Sequence, residues 1–129
     1  MGINVGWGQD CVLDPWYSLG TADMLDVAFM GLHVAQMTSP DDMRTCFDMV
    51  TVNNAKTMGL TDYGLRIGAK ASLVVLDASN PIEALRLRAA RLYVVANGRV
   101  ISQTPRADAT LSLPARPKSS RRRHSPDTT

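Results

Sequence analysis

The period of the apolar positions changes near residue 70. Before it, helical spacing dominates; after it, short β-branched runs take over. Ile3 to Trp7 is brief and apolar, flanked by Gly2 and Gly8, and predicts a buried strand. Gln9, Asp10 and Cys11 follow it directly. Polar groups where a buried strand ends mark the functional face of a parallel α/β sheet or barrel. Asp14-Pro15-Trp16-Tyr17 then predicts a loop, closed by Gly20.

Thr21 is placed to cap a helix over Met24 to Met37, with Asp23 in its first turn, where the helix dipole favours an anion. That segment is apolar nearly all round, broken by Asp26, His33 and Gln36, so protein should cover most of it. Ser39-Pro40-Asp41-Asp42 starts a second helix, running to about Val52. A short third helix spans Asn53 to Met58 and ends at Gly59. Ala71–Leu76, Leu92–Ala96 and Arg99–Ser102 predict strands, with Asn97-Gly98 as a type I′ hairpin turn. Asn80-Pro81 opens a helix to about Arg88. One parallel strand cannot make a sheet, so the first half predicts missing neighbours.

Composition narrows the class. The 129 residues are 45% hydrophobic and 20% charged, as in a globular domain. No apolar run reaches the roughly 18 residues of a membrane span, and no secretory signal pattern opens the chain. No membrane partner is expected. Cys11 and Cys46 form neither a disulfide framework nor a metal knuckle, so a reducing, cytoplasmic setting is the default expectation. The net charge of +2 is uneven: residues 114–129 hold five basic side chains against one acidic, while the rest holds nine against eleven. Nucleic-acid readers carry basic stripes on folded elements, so nucleic acid is not an expected partner. Arg121-Arg122-Arg123 in that tail reads as a solvated charge run.

Four segments, in this order, carry a resemblance. Gly2-Ile3-Asn4-Val5 leading to Gly8-Gln9-Asp10, then Asp14-Pro15-Trp16-Tyr17 and Leu19-Gly20, resembles the last barrel strand and following loop of cytosine deaminases of the amidohydrolase superfamily. Thr51 to Leu60 resembles the helix closing such barrels. Gly64 to Asp77 resembles the return strand, and Tyr93 to Ile101 the closing hairpin. The resemblance covers residues 2–104. It implies an α/β fold class: the C-terminal fragment of a metal-dependent TIM-barrel amidohydrolase plus part of its small composite β-sandwich domain. Residues 1–59 would end the (β/α)8 barrel, 60–113 would belong to the β-sandwich, and 114–129 would be a disordered basic tail.

The implied activity is hydrolytic deamination of a cytosine-like amino-heterocycle. The implied cofactor is a divalent metal, zinc or iron, in the full-length enzyme, and the implied parent is a homo-oligomer. In the family, the aspartate ending the eighth strand binds the metal and takes a proton from the attacking water; position matching puts both roles on Asp10. A carboxylate beside a metal-bound water is suited to that proton transfer. The best-known cytosine deaminases carry a second aspartate next in sequence, lining the ring pocket, where this chain has Cys11. Cys11 reads either as a substrate-binding residue that changes which ring fits, or as a small buried side chain. Trp16 reads either as the aromatic wall of that pocket or as a loop aromatic on the barrel rim.

The departures from the family are as informative. The His-x-His pair, two further histidines and a glutamate are absent, and one carboxylate does not make a zinc or iron site. His33 sits among apolar helix positions and reads as structural, and His124 lies in the tail. The chain also lacks the motifs of the unrelated zinc nucleobase deaminases. Alone, it is expected to be inactive. The alternatives are a triazine or other cyclic-amidine amidohydrolase, or a non-enzymatic binding module with a basic tail.

Overall fold

The computed structural model describes residues 2–110 and residue 112. Four helices and three strands follow one another as α1 (Met24–Val34), α2 (Pro40–Met49), α3 (Val52–Thr57), β1 (Leu73–Leu76), α4 (Pro81–Leu87), β2 (Arg91–Ala96) and β3 (Arg99–Gln103). The core lies where α1, α2 and α4 meet. Leu25, Ala28, Leu32, Cys46, Ala84, Leu85 and Ala89 are buried there, with Phe47 and Leu76 packed against them. Small residues at the crossings let the three helices approach closely. The Cys46 thiol donates to the Ala28 carbonyl at 3.2 Å and ties α2 to α1.

The helix boundaries follow local chemistry. Asp23, not Thr21, caps α1: its carboxylate accepts from the Leu25 amide, while the Thr21 hydroxyl donates to Asp26 at 2.7 Å. The expected run to Met37 stops at Val34, because Gln36 takes a left-handed conformation and breaks the ladder. Ser39 and Asp42 form a reciprocal capping box on α2. Asn80 caps α4, whose end is closed by Arg88 in a left-handed conformation.

The sheet is antiparallel, in the order β1-β2-β3. Asn97 and Gly98 both have positive φ, as the predicted two-residue turn requires. That turn is pinned from below: the Gly98 amide donates to the Ala71 carbonyl at 2.8 Å and the Asn97 amide to the Ser72 hydroxyl at 3.1 Å. An Arg91–Asp23 ion pair of 3.1 Å joins the sheet to the cap of α1.

The expected first strand does not form either. Residues 3–7 pair with no strand, and Ile3 is 80% exposed rather than buried. A strand needs a neighbour for its ladder, and no other described segment is placed to supply one. Instead the segment lies along α3 as an arm, held by side chains. Met30 and Val34 on α1, and Val74, Val75, Val100 and Ile101 on the sheet, are likewise open to solvent. The expected tail, 114–129, lies outside the described residues. No helix among the described residues is long and apolar enough to cross a membrane.

Open apolar faces and unpaired sheet edges favour association. Sedimentation of the purified chain is expected to show oligomers or aggregate; a single monomeric boundary across concentrations would contradict this.

Candidate functional site

The arm ends in the loop that carries the candidate residues. Its backbone closes on itself: the Leu13 amide donates to the Leu19 carbonyl and the Asp14 amide to the Tyr17 carbonyl, both at 3.0 Å. Asp14 organises the turn between them. Its Oδ1 accepts the Trp16 amide at 2.9 Å and the Tyr17 amide at 3.0 Å. This is the local turn that aspartate before a proline-containing loop is suited to make.

The loop and the face of α1 enclose a groove of about 710 Å³. Asp10, Cys11 and Trp16 all line it, together with Gln9, Tyr17 and Met30. All three residues singled out from the sequence therefore meet at one place. Asp10 is exposed, Cys11 half-buried, and Trp16 86% exposed. Trp16 is thus a projecting aromatic and not a packed one among the described residues.

The electrostatics of the loop centre on Cys11. The Asp14 carboxylate is the main reason the Cys11 pKa lies above the ordinary cysteine value; partial burial and the Asp10 charge add to the shift. Conversely, Cys11 and then the Trp16 amide hold Asp14 below the usual carboxylate range. Cys11 is therefore held toward its thiol form. Replacing Asp14 by Asn should lower the Cys11 pKa and speed its alkylation by iodoacetamide near pH 8, since the thiolate is the nucleophile. Buried Cys46, whose pKa is raised mainly by desolvation, serves as the slow internal reference. An unchanged rate at Cys11 would show that the Asp14 contact does not control it.

His33 lies apart from the loop. Its Nδ1 is 2.7 Å from the Phe29 carbonyl and its ring leans on Phe29, but it is exposed rather than packed in the core. No group of three or more His, Cys, Asp or Glu able to hold a metal occurs among the described residues. A zinc or iron centre wants three or more protein ligands. The described residues therefore do not fit such a metal by themselves.

Sequence reasoning missed what holds the arm. Trp7 lies against Gly31 of α1, where any Cβ would run into its indole ring. Asn53 and Asn54 reach from α3 to the arm's carbonyls. A pair of adjacent asparagines in a short helix, where asparagine is a poor former, was the available signal.

Residues 1–102 match the Amidohydrolase family. The chain is 35% identical over 101 residues to N-isopropylammelide isopropyl amidohydrolase of Pseudomonas sp. (strain ADP), which covers 78% of this chain and 25% of that protein. The structure superimposes on the 5-methylcytosine deaminase from Klebsiella pneumoniae liganded with 5-fluorocytosine, with a TM-score of 0.80 and 41% identity, over 84% of this chain and 27% of that one. It is also similar to N-isopropylammelide isopropylaminohydrolase from Burkholderia multivorans, with a TM-score of 0.75 and 32% identity, over 79% of this chain and 26% of that one. The chain thus spans about a quarter of the length of these relatives. The match over residues 1–102 and the superposition at 41% identity agree: this chain belongs to the amidohydrolase family.

Proposed function

We propose that residues 2–104 supply the closing part of a metal-dependent amidohydrolase that removes the amino group of a cytosine-like ring by hydrolysis. In this reading residues 1–59 complete a barrel and 60–113 contribute to a small β-sandwich domain. The observation that carries the reading is the meeting of Asp10, Cys11 and Trp16 in one groove.

Each side chain has a distinct task. Asp10, exposed at the end of the arm, accepts the proton of the attacking water and returns it to the leaving ammonia. Cys11 faces an edge of the ring. It is smaller and less polar than the aspartate of the best-known cytosine deaminases, and so leaves room for a ring substituent. Trp16 offers an aromatic face to the flat heterocycle. Asp10 would also give one ligand to the family's divalent metal, zinc or iron; the described residues do not supply the rest. The substrate class is an amino-pyrimidine or triazine, as the names of the relatives suggest, with 5-methylcytosine the first to test.

The test is a hybrid in which residues 2–104 replace the matching quarter of the Klebsiella pneumoniae 5-methylcytosine deaminase. Ammonia release from 5-methylcytosine or cytosine is expected from the metal-loaded hybrid, and none from the 129-residue chain alone. Metal-dependent turnover by the chain alone, or a folded, metal-loaded hybrid inactive on every amino-pyrimidine and triazine offered, would overturn the reading. Amine release from N-isopropylammelide in place of ammonia from the pyrimidines would favour the triazine branch, which the 35% identity to the Pseudomonas protein supports.

A further inference from the structure

Among the described residues no strand pairs with the arm that ends in Asp10, yet side chains meet its backbone at Val5 and Trp7. The Asn53 side-chain amide donates to the Val5 carbonyl at 2.9 Å, and the Asn54 side-chain amide donates to the Trp7 carbonyl at 2.7 Å. The Trp7 amide donates to the Met49 carbonyl at 3.1 Å, at the end of α2. Asn4 returns the contact, its side-chain amide donating to the Asn53 carbonyl at 2.9 Å and the Thr57 hydroxyl at 3.0 Å.

Asn54 has the most exacting place among these. Its bond to Trp7 is the shortest of the set and the partly buried one, while those of Asn4 and Asn53 are exposed. It is also the last before Asp10, three residues further on. A Cβ at Gly6 would collide with the Asn54 side chain, so the arm passes this amide at the closest approach a backbone allows. The Trp7 ring in turn lies against Gly31. Trp7 is thus fixed by its ring on α1, by its amide on α2 and by its carbonyl on α3.

We propose that Asn54 is a positioning residue for the candidate site: its side-chain amide, through the Trp7 carbonyl, sets where the arm presents Asp10. The importance of that placement rests on the amidohydrolase reading; the anchoring itself does not. A general base works only within hydrogen-bond reach of the proton it takes, so the place of the arm decides whether Asp10 can act. An asparagine amide does here what a neighbouring strand's N–H does in a ladder.

The test uses hydrogen exchange in the intact 129-residue chain, read at the Trp7 amide and corrected for the intrinsic rate at each pH. Asn54→Leu removes the donor and should lower the protection of Trp7 about tenfold or more, given the penalty of an unsatisfied, partly buried carbonyl. Asn54→Asp should lower it equally at pH 7, where a carboxylate faces the carbonyl. It should recover at or below about pH 4, where a protonated Asp regains a donor. Asn54→Leu should show no such recovery. Protection in Asn54→Leu equal to that of the unaltered chain overturns the proposal, as does Asn54→Asp behaving alike at both pH values. Loss of the helical circular dichroism in both variants also overturns it, since Asn54 would then hold the fold and not the arm. Exchange needs no turnover, so an inactive hybrid leaves this test intact, and a free arm leaves the hydrolase reading to its own assay.

Discussion

Asp10→Ala in the hybrid enzyme is expected to bring ammonia release down by at least about 10²- to 10⁴-fold, the usual effect of losing a positioned acid or base. The drop should fall on kcat, because Asp10 handles a proton while Trp16 and Cys11 face the ring. Trp16→Ala should do the reverse, raising KM for the ring more than it lowers kcat. Replacing Cys11 by Asp should shift the preference from 5-methylcytosine toward cytosine and leave the metal content unchanged. Near-normal activity of Asp10→Ala would mean that the roles lie on other residues. Loss of metal in the Cys11 variant, with specificity untouched, would mean that the matching is displaced by one position.

Leu85→Ala is expected to be the most damaging single truncation in the core. Leu85 is 0% exposed and sits in the cluster where α1, α2 and α4 meet. Truncating such a leucine costs about 2–5 kcal/mol, from lost burial and from the cavity left behind. A domain of this size commonly has about 5–15 kcal/mol in total, so a large share of its stability would go. The midpoint of urea unfolding, followed by circular dichroism, is the measurement. Leu87→Ala is the control, because Leu87 lies on the same helix but is exposed. Equal effects at the two positions would show that the helical core is not packed as described.

What was legible in the sequence was whatever local chemistry decides. Ser39 with Asp42, Asn80 with Pro81 and Asn97 with Gly98 each carry their structure within four residues, and each forms as expected. The sheet was legible because hairpin partners are near in sequence. The segment Ile3–Trp7 was not, since an apolar β-branched run predicts a strand but cannot name the neighbour that would pair with it. In this chain the pairing groups are the amides of Asn53 and Asn54, on a helix far along the sequence. The cap of α1 was misplaced by two residues because Thr21 and Asp23 are both good caps. Of the candidate site, the convergence of Asp10, Cys11 and Trp16 followed from their nearness in one loop. The part played by Asp14, which accepts the Trp16 and Tyr17 amides and raises the Cys11 pKa, depends on a fold of the loop that no motif spells out.

The bonds that hold the arm join residues 42 to 53 positions apart, whereas the helix caps and the hairpin turn are closed within a few residues. Long closures cost entropy before any contact repays it, so local elements form early and distant ones late. The helices and the hairpin can therefore assemble while residues 2–10 are still free. The arm docks onto the surface that α1, α2 and α3 make, and its local stability is that of its few bonds and of the Trp7 ring against Gly31. The placement of Asp10 thus waits on α1, α2 and α3, which must come together before the arm has anything to dock on.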